Sequence, residues 1–154
     1  MQKTDTMKRA YATVKHVLYN LREIQRLVDE ARQEPYSGGH SGGSAGHAFV
    51  SDPTANAAIR AADELTAVRL KDGFVVRRPE TWLEVVRQVY AGVPSFERDV
   101  MQTYFSGCDR ITTSEQYHIS EATVYFYRGE LLASMVAAAC QAGLVYVIDL
   151  RGKH

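Results

Sequence analysis

Cysteine, proline and net charge are all scarce in this chain of 154 residues, and each scarcity removes a class of protein. The two cysteines, Cys108 and Cys140, are far apart in sequence and neither has a CxxC partner, so a disulfide framework or a cysteine-built zinc site is excluded. They read as thiols in a reducing cytoplasm. Eighteen basic residues balance eighteen acidic ones, which excludes a protein that holds nucleic acid through overall charge and leaves room only for a local basic face. An apolar leader is also lacking: MQKTDTMKRAYATVKHV is polar, and a cytoplasmic protein of a bacterial cell is expected. The one long uncharged run, LLASMVAAACQAGLVYVI (Leu131 to Ile148), is dominated by alanine and broken by Gly143. It is expected to be a buried helix end followed by an extended tail, so no membrane partner is assigned. Ordered Ser/His/Asp residues, a carboxylate-pair motif, metal-ligand spacing and a phosphate loop are missing as well, and the five histidines are scattered. A non-enzyme with no cofactor and no metal is expected.

What the chain does have is helical patterning. From Lys3 to Gln33, Met7, Ala10, Val14, Val17, Leu21, Ile24, Val28 and Ala31 recur at spacings of three and four. Such a seam predicts one long helix of roughly 45 Å at 1.5 Å per residue. An amphipathic helix packed on its own domain fits the stripe. So does a coiled-coil arm joining two copies through Val14, Val17, Leu21, Ile24 and Val28, and the length favours the arm and a homodimer.

The pattern stops at EPYSGGHSGGSAGHAFVSD, with Pro35 and glycines at 38, 39, 42, 43 and 46. This is expected to be a flexible linker over residues 35–51, since a phosphate loop would need a lysine that is absent and His40 and His47 have no further ligand. Asp52 and Pro53 then read as a cap and first residue of a helix whose face is Ala55, Ile59, Ala62, Leu65 and Val68, ending near Gly73. FVVRR could be extended; no other strand is expected before the tail. Pro79 opens a helix with Trp82, Val85, Val86 and Val89 inward, closed by Gly92. Ser95 is expected to cap the next, in which Phe96, Val100, Met101, Tyr104 and Phe105 pack and Gly107 ends the run. The fold class predicted is all-α: an arm over 1–34, the linker, and a small helical bundle over 52–154.

The stretch ITTSEQYHISEATVYFYRGEL (Ile111 to Leu131) reads as a short helix, a corner and a longer helix. Thr112 with Glu115, or Thr113 with Gln116, fits a capping box, giving a helix from about Thr113 to Tyr117. His118 and Ile119 carry the chain around, Ser120 caps the second helix, and Thr123 can return a hydrogen bond to it. Val124, Tyr127 and Leu131 are expected to face the preceding helices, with Gly129 interrupting the second. In a helix-turn-helix the second helix enters the major groove with its first turns against base edges. The DNA-contact candidates are therefore Ser120, Glu121, Ala122, Thr123, Tyr125 and Arg128. Ser120 and the helix amides suit phosphate, Arg128 suits phosphate or guanine, and Glu121 suits a cytosine amino group or the helix dipole. Spacing alone leaves open whether this corner reads DNA or only packs.

Pro94, Glu97, Arg98, Val100, Met101, Tyr104 and Phe105, followed by Ile119, Ser120, Thr123 and Val124, resemble region 4 of sigma-70-type factors, in which a P-x-x-E-R helix start leads to a helix-turn-helix with I-S-x-x-T-V. The resemblance covers roughly the last third of the chain, and the helix-turn-helix would span about residues 112–142. The layout of helix, Gly/Ser interruption and sigma-like end is similar to phage late-gene regulators of the RinA and ArpU type. That resemblance implies sequence-specific binding of double-stranded DNA to control phage or prophage late transcription, with host RNA polymerase as a candidate partner. Two alternatives stay open: a phage small terminase subunit recognising packaging sites, and a helical interaction module that binds no DNA.

Overall fold

The computed structural model describes residues 4–33 and 63–147. The linker and the greater part of the helix expected from Asp52 lie outside the described residues, as do His40 and His47 and the tail from Ile148. Among the described residues there are six helices and one two-stranded sheet: α1 (Asp5–Tyr19), α2 (Leu21–Gln33), β1 (Ala67–Arg69), β2 (Val75–Arg77), α3 (Pro79–Ala91), α4 (Ser95–Phe105), α5 (Arg110–Tyr117) and α6 (Glu121–Gln141). The chain is mostly helical, as expected. It divides into two units, one made of residues up to Leu21 together with those from Thr81 onward, the other of Arg22 to Glu80. The division falls inside the segment expected to be a single arm.

That arm is not one helix. Thr4 caps α1 by accepting a hydrogen bond from the Met7 amide at 3.1 Å, and the helix stops after Tyr19. Asn20 leaves the helical region at φ −121°, ψ 23°; its amide turns back to the Val17 carbonyl at 3.1 Å. Its side-chain Nδ2 donates to the His16 carbonyl at 2.8 Å. An asparagine amide that bonds nearby backbone offers the chain an alternative to helix, and the apolar seam carries no trace of it. The seam itself is real but internal. Val14, Val17 and Ile24 are 0% exposed within one chain and Val28 is buried, so these four offer no surface to a contact between copies; Leu21, also assigned to it, is half-buried.

In the first unit, α1 packs on α6, and α4 packs on both α5 and α6. Val100, Met101, Phe105, Val124, Leu131 and Met135 form its buried core with Val14 and Val17. Tyr19 seats its ring edge-on to Phe105 at 4.8 Å, tying the end of α1 to α4. Trp82, Val85 and Val86 are buried along α3, as their spacing predicts; Val89 is half-buried, and Tyr90, not expected inward, is buried. Two expectations for α4 need correction. Ser95 is the first helical residue rather than the cap, because Pro94 holds the cap position without a side-chain bond. Phe96 is exposed rather than packed inward.

The second unit contains two strands, of which the sequence pattern missed the first. Ala67, Val68 and Arg69 pair antiparallel with Arg77, Val76 and Val75, placing β1 where the end of a helix was expected. FVVRR is indeed extended. The connection is a tight turn: the Gly73 amide donates to the Leu70 carbonyl at 2.9 Å, the Phe74 amide to Asp72 Oδ1 at 2.9 Å, and Gly73 takes a φ of +92°. Asp-Gly is the residue pair such a hairpin favours, because the turn needs a left-handed position that glycine adopts without strain. Glu23 of α2 accepts from the Lys71 amide at 2.7 Å. Arg32 makes a two-pronged bond to Glu80, 2.9 and 2.6 Å, and the Leu65 amide adds a third to that carboxylate at 3.2 Å. The Arg32 guanidinium beside it holds the Glu80 carboxyl below the usual carboxylate range.

Candidate nucleic-acid interface

The corner is built from α5, a three-residue turn and α6. Asp109 starts α5 by accepting from the Thr112 amide at 2.6 Å, three residues earlier than the capping-box pattern suggested. That amide holds the Asp109 carboxyl below its ordinary value. The helix is clamped to α4 through Tyr117. Its hydroxyl sits 2.7 Å from Thr103 Oγ1 and donates to the Asp99 carbonyl at 3.1 Å, and its ring meets Phe96 edge-on at 5.9 Å.

At its end, α5 closes with two reversed bonds. The His118 amide donates to the Glu115 carbonyl at 3.3 Å and the Ile119 amide to the Ser114 carbonyl at 3.0 Å. This pairing needs a left-handed residue just past the helix, and His118 supplies it at φ 56°, ψ 43°. Ile119 is half-buried behind the turn. Ser120 then caps α6, its Oγ accepting from the Thr123 amide at 3.0 Å and lying 2.8 Å from Thr123 Oγ1. The sharp reversal is therefore closed by two backbone bonds on one side and by the Ser120 cap on the other. Val124 at 0% and Leu131 at 3% exposure turn inward as predicted, with Tyr127 half-buried. α6 runs unbroken through Gly129, against the interruption expected there, and a methyl group at that position would meet nothing within 4 Å.

The six candidate side chains divide by what else they touch. Ser120, Glu121, Ala122 and Tyr125 are exposed on the first turns of α6. Thr123 is half-buried, and its hydroxyl is turned back to Ser120, so its first job is the cap. Arg128 is half-buried, with its guanidinium 5.6 Å from the Tyr125 ring centre. It also lies beside Tyr19, whose phenol partial burial and Tyr104 push up to about 12 while Arg128 pulls it down. Arg128 is thus held partly by the protein's own aromatic rings rather than extended freely.

One residue that the sequence pattern did not bring forward joins this face. Arg110 starts α5, and its guanidinium lies 4.8 Å from the centre of the Tyr125 ring. Its Nε donates to Glu121 Oε1 at 2.9 Å. Eleven residues separate Arg110 from Glu121, so only the reversal at His118 brings them together. Two arginines stack on one exposed tyrosine, with a carboxylate on the flank. The face has both donors and apolar surface, which a groove with acceptors and methyl groups can use. Phe126, at 61% exposure, extends the apolar part.

Among the described residues no group of three or more His, Cys, Asp or Glu is placed to hold a metal ion, and no helix is long and apolar enough to cross a membrane. No family model, curated protein or solved structure matches the chain.

Proposed function

We propose that the protein is a sequence-specific binder of double-stranded DNA that regulates transcription, with α6 as the helix that enters the major groove. The observation carrying this is the α5–turn–α6 corner. A reversal capped on both sides exposes Ser120, Glu121, Ala122 and Tyr125 on the first turns of a helix that Val124 anchors to the core. Neutral overall charge is compatible with it, because base contacts rather than charge set specificity, while Arg110 and Arg128 give the face local positive charge. The resemblance of residues 94–124 to sigma region 4 supports a role in promoter-proximal control. The layout supports phage or prophage late genes as the target and host RNA polymerase as a second partner. A homodimer is the assembly proposed, since one corner of this size spans a single half-site.

The test begins with selection of duplexes from a random pool, followed by fluorescence anisotropy on the enriched sequence and on scrambled DNA. Ala122→Glu places a negative charge on the exposed face without touching the core. It is expected to remove specific binding while leaving the melting temperature unchanged. A variant that binds like the parent would mean that another surface reads the DNA. Light scattering that gave a ring of many copies would point instead to a packaging-site protein.

A further inference from the structure

We infer that Arg110 reads a guanine, and that Glu121 and Tyr125 are the positioning residues that hold its guanidinium for the purpose. The inference rests on the DNA-binding reading and goes beyond it by assigning a base to a residue outside α6. Three observations carry it. Arg110 is bound through Nε, the inner nitrogen, to Glu121 Oε1 at 2.9 Å. Its Cζ lies over the Tyr125 ring, 4.8 Å from the ring centre. The two terminal nitrogens have no acceptor among the described residues. They are the pair that can donate together to guanine O6 and N7.

An ion pair this exposed, with side chains 42% and 47% accessible, contributes little to stability in water. Its consequence is geometric. A carboxylate fixing one edge and a ring fixing one face leave the fork with few orientations, and a pre-organised fork loses less freedom on forming two parallel bonds. The sign of Glu121 also distinguishes base from backbone. A carboxylate 2.9 Å from the arginine repels a phosphate brought to the same place, whereas the acceptor edge of guanine carries no full charge. Glu121 therefore lowers affinity for arbitrary DNA while sharpening the choice at one base pair.

The experiment uses the full-length chain and the duplex selected above. Each G·C pair is replaced in turn, and 7-deazaguanine, which lacks the N7 acceptor, is placed at the sensitive position. Arg110→Ala and Arg110→Lys are both expected to lose roughly tenfold to a hundredfold on the preferred duplex. Both should become indifferent to 7-deazaguanine there, while the parent is weakened by it. Glu121→Gln should reduce discrimination at that same position and raise affinity for scrambled DNA. Circular dichroism and melting temperature, unchanged in all three variants, show that folding is intact. Should Arg110→Lys keep the parent's affinity while Arg110→Ala weakens every sequence alike, with the salt slope falling by about one unit, Arg110 contacts phosphate and the inference is wrong. Unaltered binding by Arg110→Ala in a parent that does select DNA also overturns it, and leaves the DNA-binding reading standing. A parent that selects no duplex from the pool removes that reading first, and this assignment with it.

Discussion

Among the described residues, two of the joints between consecutive helices are made in opposite ways. Between α1 and α2 a single residue, Asn20, steps out of the helix and the next helix begins at Leu21. Between α5 and α6 three residues intervene. The first is a left-handed histidine with the two reversed amide bonds, and the last is a serine that caps α6. The apolar stripe runs across the first joint with no change of spacing. At the second, the polar residues announce the turn on their own. A hydrophobic period reports which side of a segment is buried, whereas termini are set by the groups that satisfy free amides and carbonyls. The corner could be read because its start signal, Ser120 before α6, is local and strong. The break at Asn20 could not, because one asparagine in a good helical pattern is common and uninformative.

The largest effects should come from the core on either side of the joints. Val124→Asp puts a charge where exposure is 0%, and Val17→Asp does the same beneath α1. Each is expected to cost about 4 kcal/mol or more and to leave the protein largely unfolded by circular dichroism. The comparison sharpens with protein concentration. An intramolecular seam keeps the amides of α1 and α2 protected from hydrogen exchange when the protein is diluted until it is monomeric, while a seam shared between copies loses that protection. Loss on dilution would restore the arm inferred from the sequence.

Next in size is the cap of the second joint, which the first joint lacks. Ser120→Ala removes the acceptor of the Thr123 amide and is expected to cost about 1 kcal/mol in urea unfolding. Ser120→Asp should recover that stability, because a carboxylate caps equally well, yet fail to recover DNA binding if the face meets phosphates. Equal losses from both changes would show that packing around Thr123, rather than the cap, holds the start of α6.

The two reversed-bond helix ends make a comparison inside the comparison. α6 ends like α5: the Gly143 amide donates to the Cys140 carbonyl and the Leu144 amide to the Ala139 carbonyl, at 3.0 and 2.8 Å. There the left-handed residue is a glycine at φ 77°, whereas the corner uses His118. A side chain at such a φ is strained, so His118→Gly is expected to raise stability by about 0.5–1 kcal/mol. Gly143 was legible as a helix stop, while His118 was legible only as part of a turn, since a histidine does not signal positive φ. Much else divided the same way. Apolar spacing gave the buried faces of α3 and α6, and Asp72-Gly73 carried an unheeded hairpin signal between strands too short to show alternation. Arg110 could not have been placed at the candidate face, because its two partners there depend on how tightly the chain reverses at His118. Asp109, by contrast, stood in the sequence as a good cap but was outcompeted by the Thr-x-x-Glu pattern just after it.

Acid should act on the corner through that cap and leave Asn20 untouched, since Asn20 does not titrate. The folded Asp109 carboxyl is held below its ordinary value by the Thr112 amide. Its contribution is therefore complete above the ordinary carboxylate range, about pH 4, and is lost as pH falls through the lower folded value. Asp109→Asn keeps an acceptor at that position and cannot titrate. Between pH 6 and pH 3 its urea midpoint should fall less steeply than the parent's, and parallel curves would mean that other carboxylates carry all of the acid response.

The smallest effect tests the first joint directly. Asn20→Ala loses the bond from Nδ2 to the His16 carbonyl and gains the better helix former, two changes of similar size and opposite sign. If the break is fixed by burial, with Val17 and Leu18 seated on one side of it and Ile24 and Val28 on the other, neither local term decides the backbone. Stability should then change by less than about 0.5 kcal/mol, and the mean helical signal should not move. The amides of α1 and α2 should also keep their separate hydrogen-exchange protections, as helices belonging to two units must. A gain in helical signal accompanied by a single shared protection would say otherwise. It would mean that the asparagine alone imposes the joint, and that the continuous helix written in the apolar spacing is the conformation the rest of the chain prefers.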